Sequence, residues 1–219
     1  MSVITIERRV LARNEAVAAR NRELFRHHRL FVVNVVSSPG AGKTRLLERT
    51  IERLKDRIRI GVIEGDVQTD LDAQRVARYG VPVVQIVTNG GCHLDAQLVH
   101  DAVATLDLSV MDLLVIENVG NLVCPASYDL GEALKVVVLS TTEGDDKPLK
   151  YPAMFRHAAV LVVNKIDLLP YIDCNLETLE RNALQINPSL TIFETSCTTL
   201  DGIDAWCGWV QERMARTHA

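Results

Sequence analysis

Residues 30–54 read "LFVVNVVSSPGAGKTRLLERTIERL". The apolar, β-branched run at 30–37 is nearly continuous rather than alternating, the pattern of a strand covered on both faces. It passes straight into "SSPGAGKT", Ser37 to Thr44, and then into an amphipathic segment at 44–55. The phosphate-loop pattern is G-x-x-x-x-G-K-[ST]. Gly42, Lys43 and Thr44 meet its last three positions, and Ser37 stands where the first glycine belongs. Gly40, Ala41 and Gly42 place backbone amides where they can curl around an anion, and the following helix N-terminus adds more donors. In that setting Lys43 neutralises β and γ phosphates and Thr44 offers its hydroxyl to Mg²⁺. The alternative is a glycine-rich turn with an incidental lysine. The order strand, loop, helix speaks against it, and the Ser37 departure bears on loop geometry more than on chemistry.

Working outward, the same kind of run recurs at 58–65, 81–88, 111–118, 134–141, 158–165 and 190–196. Amphipathic segments at 69–79, 94–106, 175–186 and 201–216 lie between or after them. This alternation predicts an α/β fold of the P-loop NTPase type, a mainly parallel seven-stranded sheet with helices on both faces. Functional residues then belong in loops at the carboxyl edge. The expected organisation is a basic amphipathic helix over 1–29 and a single nucleotide-binding domain over 30–219. Residues 7–29 are rich in arginine, but Glu7, Glu15 and Glu23 interrupt them. A transit peptide would be poor in acid, so the segment reads as a structural or partner-binding helix.

The 219 residues are enough for one full α/β core. A net charge of −4 argues against a nucleic-acid-binding protein, and no apolar run is long enough to cross a bilayer. The five cysteines are an odd number without a CxxC. A reducing, cytoplasmic setting is therefore expected rather than a disulfide scaffold.

The run at 158–165 ends in "VVNKID", placing Asn164, Lys165 and Asp167 in N-K-x-D. A carboxylate held edge-on accepts from guanine N1–H and N2–H₂; adenine would leave it unpaired, which makes discrimination steep. Ser196, at the end of the last run, is a candidate for a loop whose backbone amide meets the guanine carbonyl; a plain strand-to-helix loop is the other reading. In "VIENVG", Glu117 and Gly120 have the spacing of a D-x-x-G switch with Glu for Asp. Glu117 is a candidate Mg²⁺ ligand through water, with Asp66 a second, and Gly120 offers an amide to the γ phosphate. Asp70 or Asp72 suits a helix cap. No glutamine or histidine adjoins Gly120 to position water, so slow GTP hydrolysis is expected.

"TNGGCHLDAQLV", Thr88 to Val99, sets Cys92 beside His93 ahead of a helical segment. Cys124 follows the switch within a few residues. Both stretches belong at the carboxyl edge of a parallel sheet, and Cys92, His93 and Cys124 together suit Ni²⁺ or Zn²⁺. A helix N-terminus beside Cys92 would lower its pKa and favour the thiolate. The other readings are a buried cysteine beside a solvated histidine and a Cys–His nucleophile. Cys174, Cys197 and Cys207 read as structural.

"SSPGAGKT", "EGDVQTDLDAQR", "NGGCHLDA", "IENVGNLVCP", "TEGDDKPLKYP" and "VVNKIDLLPY", in this order, resemble the HypB family of GTPases that assist nickel insertion into [NiFe] hydrogenase. The likeness spans about residues 30–210. The related urease accessory GTPases of the UreG family carry a Cys-Pro-His motif that this sequence lacks. The resemblance implies GTP/GDP with Mg²⁺, a homodimer, and Cys92, His93 and Cys124 as Ni²⁺ or Zn²⁺ ligands at the dimer interface, gated by nucleotide. It also implies the nickel-binding maturation protein HypA and a hydrogenase large-subunit precursor as partners, without nucleic acid or membrane. Lys147 would reach the partner's nucleotide, and Leu168, Leu169 and Ile172 form a candidate dimer patch or ordinary core. The cysteine-rich and histidine-rich nickel segments of some family members are absent here, so high-affinity nickel storage is not expected. The rival functions are a urease-type nickel accessory GTPase, a P-loop kinase acting on a small acceptor, and a zinc-stabilised binding module. N-K-x-D speaks against the kinase, and intact Lys43, Thr44 and Asp167 against the zinc module.

Overall fold

The computed structural model describes residues 6–218. Seven strands form one sheet: β1 (Phe31–Ser37), β2 (Ile60–Asp66), β3 (Val83–Val87), β4 (Leu113–Glu117), β5 (Leu134–Ser140), β6 (Val160–Asn164) and β7 (Thr191–Thr195). Their order is β3-β2-β4-β1-β5-β6-β7. Each predicted apolar run is a strand, and every pairing is parallel. The sheet is thus wholly rather than mainly parallel. Each crossover helix returns the chain to the same edge, which leaves all strand carboxyl ends on one side.

The helices are α1 (Ile6–His27), α2 (Lys43–Leu54), α3 (Leu71–Ala77), α4 (Ala96–Val103), α5 (Lys147–Lys150), α6 (Pro152–Arg156), α7 (Leu176–Ile186) and α8 (Ile203–His218). The two short helices α5 and α6 were not legible as periodic segments. Each has a proline in its first turn, where the missing N–H is harmless, and neither is long enough to show a period.

The two faces of β1 explain why its run reads as continuous. Phe31, Val33 and Val35 pack with α2 and α8, including Leu47, Ile51, Trp206 and Val210. Val32 packs on the opposite face with Ile63, Leu114, Val99 of α4 and Phe25 of α1. Val36 joins Val137, Leu161 and Phe155 in a third cluster. Asn34 and Ser37, both fully buried, are the polar exceptions in this strand.

Helix α1 lies on the domain that follows it. Val17 and Ala18 cluster with Ala96 at the start of α4. Asn14 Oδ1 accepts from the Ala96 amide at 2.8 Å, while the Asn21 amide donates to the carbonyls of Ala96 and Leu130. The apolar stripe is covered from Val17 to Phe25, while Val10 is exposed and Arg9, Arg13 and Arg20 occupy the outer face, as expected of an amphipathic helix on its own core.

Candidate functional site

The loop between β1 and α2 is built for an anion. Gly42, at the N-cap of α2, has φ 100°, a left-handed conformation that favours glycine. A Cβ there would also collide with the side-chain amide of Asn164. Lys43 Nζ donates to Ser37 Oγ at 3.0 Å and lies 4.0 Å from Glu117 Oε1. Thr44 Oγ1 donates to Glu117 Oε1 at 2.8 Å. Ser37, the departure from the glycine pattern, thus holds the loop lysine. Pro39, Gly40, Gly42, Lys43, Thr44, Glu117 and Gly120 line a cleft of about 410 Å³. Gly120 meets the loop so closely that a Cβ would stand 3.1 Å from Pro39 Cα.

Glu64, which sequence reasoning missed, is paired in register with Glu117 across β2 and β4. Burial, reinforced by Glu117, pushes its carboxyl up to about 10. Burial also raises Glu117, opposed by Lys43 and the Thr44 hydroxyl. Glu64 Oε1 and Glu117 Oε2 are buried without a hydrogen-bond partner. A charged residue inside an otherwise apolar run, "IGVIEGD", was the available signal, because a buried carboxyl needs a compensating group. Asp66 lies in the same cleft. Its Oδ1 accepts from the Thr69 and Gln68 amides and the Thr69 hydroxyl. Burial raises its pKa, but these hydrogen bonds outweigh it and leave the carboxylate below its ordinary range. Asp70 occupies the N-cap of α3 without a side-chain cap bond, and Asp72 pairs with Arg75 at 2.9 Å.

At the other end of the loop, Asn164 Nδ2 donates to the Ala41 carbonyl at 2.9 Å and Lys165 Nζ to the Gly40 carbonyl at 2.8 Å. N-K-x-D therefore braces the phosphate loop. Asp167 Oδ1 is buried with no hydrogen-bond partner, and such an oxygen fits the donor pair of a guanine edge. Ser196 is fully buried. Its amide donates to the Asp201 carbonyl at 3.0 Å, and its Oγ accepts from the Thr198 and Thr199 amides. Its own amide is thus engaged within the loop, which Ser196 organises.

Cys92 and Cys124 bring their sulfurs within 2.8 Å, and Cys92 Sγ lies 3.5 Å from His93 Nδ1. One donor atom from each of the three residues lies within 4.8 Å of the others. The expectation of a lowered Cys92 pKa is not met. The N-cap of α4 is Asp95, whose carboxylate accepts from the Leu98 amide, so Cys92 stands outside the helix terminus. Its pKa is raised, first by the hydrogen bond with Cys124 and then by burial. Metal binding would displace such protons. Burial lowers the His93 pKa, which favours the neutral, ligating imidazole. Its ring lies 3.9 Å from that of Tyr128, centroid to centroid.

The cysteine cluster and the cleft are joined by β4 and the segment after it. Asn118 Oδ1 accepts from the Leu94 amide at 3.0 Å, and Asn121 Nδ2 donates to the Cys92 carbonyl at 3.2 Å. Elsewhere, Lys147 pairs with Glu143 of its own chain at 3.7 Å and lies over the Tyr151 ring. Leu168, Leu169 and Ile172 are half-buried beside exposed Tyr171. Cys197 and Cys207 are buried, with pKa values raised chiefly by burial to about 11 and about 12; Cys174 is half-buried. Among the described residues, no helix is long and apolar enough to cross a membrane.

The family described as CobW/HypB/UreG, nucleotide-binding domain, matches residues 31–194. The hydrogenase maturation factor HypB of Rhizobium leguminosarum bv. viciae is 52% identical over 214 residues, which is 98% of this chain and 72% of that protein. The crystal structure of hydrogenase maturation factor HypB from Archaeoglobus fulgidus is similar with a TM-score of 0.87 and 40% identity, covering 93% of this chain and 99% of that one. That of HypB from Helicobacter pylori in complex with nickel gives 0.89 and 36%, covering 93% and 96%. The match spans the strands that carry both the phosphate loop and the cysteine cluster, and the chain belongs to the CobW/HypB/UreG family of nucleotide-binding domains.

Proposed function

We propose that this chain is a GTP-hydrolysing metallochaperone that assists nickel insertion during [NiFe] hydrogenase maturation. Its cargo site is Cys92, His93 and Cys124, placed at a homodimer interface and gated by the nucleotide. The observation that carries this reading is the single segment 117–124. It begins with Glu117, bonded to Thr44 of the phosphate loop, and ends with Cys124, against Cys92. A nucleotide that moves Glu117 and Gly120 therefore moves a metal ligand, which is how two sites acquire a coupling free energy. Thiolate and imidazole donors suit Ni²⁺ and Zn²⁺ alike. The similar Helicobacter pylori HypB is described in complex with nickel, which favours nickel as the cargo here.

On the nucleotide side, Gly40, Ala41, Gly42 and Lys43 hold the phosphates, and Asn164, Lys165 and Asp167 hold guanine. The oxygens of Thr44, Glu117 and Asp66 fit a hard divalent cation, because Glu117 Oε2 is buried and unpartnered. Mg²⁺ bound there would neutralise charge on the phosphates. HypA and a hydrogenase large-subunit precursor are the proposed protein partners.

The test measures metal stoichiometry and oligomeric state together, for the unsubstituted chain and Cys92→Ala, with GDP and with a non-hydrolysable GTP analogue. Metal content and dimer fraction are expected to rise with the analogue, and Cys92→Ala to lose the metal. Metal binding indifferent to nucleotide would overturn the gating.

A further inference from the structure

Lys135, near the start of β5, is a buried lysine, 7% exposed. Its Nζ donates to the carbonyls of Pro125 at 3.0 Å and Tyr128 at 3.2 Å, and lies 3.9 Å from Glu132 Oε1. Pro125 follows Cys124 directly, and Tyr128 carries the ring against His93. The ammonium thus grips both ends of the turn that presents one thiol and backs the imidazole.

The grip continues through the core. Glu132 Oε1 accepts from Asn34 Nδ2 at 3.0 Å, and Glu132 Oε2 from the Leu130 amide at 2.7 Å. Asn34 Oδ1 accepts from Asn118 Nδ2 at 3.3 Å. Asn118 Oδ1 accepts from the amides of Leu94 and Val119 at 3.0 Å each. One end of this polar chain holds the residue after Cys124, and the other holds the residue after His93. Its middle lies on β1 and at the end of β4, the strands that lead to the phosphate loop and the switch. Burying a lysine and a glutamate is costly, and the cost is offset only where close pairing and further hydrogen bonds satisfy both groups, as they do here.

We propose that Lys135, acting through the Glu132–Asn34–Asn118 chain, is a positioning residue that sets the spacing of Cys124 and His93 around the metal. This rests on the metal site proposed above. Residues behind metal ligands typically change affinity 10–100-fold when removed.

The deciding experiment uses Co²⁺, whose thiolate charge-transfer band reports sulfur ligation, on the full chain with the GTP analogue. The variants are Lys135→Met, and Lys135→Met combined with Glu132→Gln. The single variant strands a buried carboxylate; the double variant removes both charges and restores thermal stability. The expected result is a folded double variant with unchanged GTP-analogue affinity, Co²⁺ affinity weaker by about tenfold or more, and a diminished thiolate band. Lys135→Gln with Glu132→Gln keeps an uncharged pair but falls short of the two carbonyls. It is read the same way, so the result does not hang on one variant folding. If stability and Co²⁺ affinity are restored together, Lys135 is structural and the proposal is overturned. Absence of a thiolate band in the unsubstituted chain would instead overturn the metal site itself, and the proposal with it.

Discussion

Glu64 and Glu117 stand side by side in register on neighbouring parallel strands, buried beneath the phosphate loop. Like charges this close cannot both ionise in a low dielectric. Burial, reinforced by Glu117, raises Glu64 to about 10, so it holds its proton; Glu117, raised by burial too, accepts from the Thr44 hydroxyl. The nearby Lys43 opposes both upward shifts, more prominently at Glu117 than at Glu64.

The pair makes the nucleotide-free chain sensitive to alkali. In the unfolded chain Glu64 loses its proton near pH 4.3, about the ordinary glutamate value; in the fold it keeps it to about 10. The folded state holds the extra proton between these values. The Glu64 contribution to stability is thus full below the lower pKa and drains away as pH rises toward the upper one. Glu64→Gln, always neutral, is expected to flatten the pH dependence of urea unfolding between about pH 5 and 9. An unchanged slope would show that Glu64 is not the group responsible.

Asp167→Asn should exchange one base for another. With its carboxylate gone, GTP affinity is expected to fall by about tenfold to a hundredfold, the range for a lost buried hydrogen bond, while xanthosine triphosphate affinity rises. Fluorescent-nucleotide titration reads both. GTP affinity equal to that of the unsubstituted chain would remove Asp167 from the base site.

Asn121→Ala cuts the link between the switch segment and the Cys92 carbonyl while leaving all three metal ligands in place. Metal affinity with GDP is expected to change little. The difference between GDP and the GTP analogue should shrink by about fivefold or more, the lower end of ordinary allosteric coupling. Competition with a metallochromic chelator measures it. A full nucleotide effect in Asn121→Ala would place the coupling elsewhere.

Gly202→Ala tests the turn between β7 and α8, beside the Ser196 loop. Gly202 has φ 70°, and a Cβ there would collide with the Glu194 carbonyl. The strain and the collision together predict a loss of about 2 kcal/mol in denaturant unfolding. A loss under about 0.5 kcal/mol, the range of neutral surface changes, would mean that the β7–α8 turn yields.

The strands were readable because burial on both faces writes a continuous apolar run, as in Phe31–Ser37. The phosphate loop was readable because glycine, lysine and threonine follow a strand at fixed spacing. Cys92 and His93 are adjacent, and the position of Cys124 after a strand end placed it at the same edge. Glu64 passed unnoticed because one carboxyl in an apolar run looks like a flaw until its neighbour is known. Helices α5 and α6 are too short to carry a period.

Sequence alone determined the alternation of strands and helices and the chemical identity of the loops at their ends, since both are written in local periodicity and spacing. Only the tertiary structure decided that β2 lies beside β4, and so that Glu64 meets Glu117. The same strand order carries Asn118 and Asn121 to the Cys92 loop. It also determined that Cys92 faces a second thiol and not a helix end, which reverses the direction of its pKa. Strand order is a long-range property, and the field at a titratable group is the sum over neighbours distant in the chain.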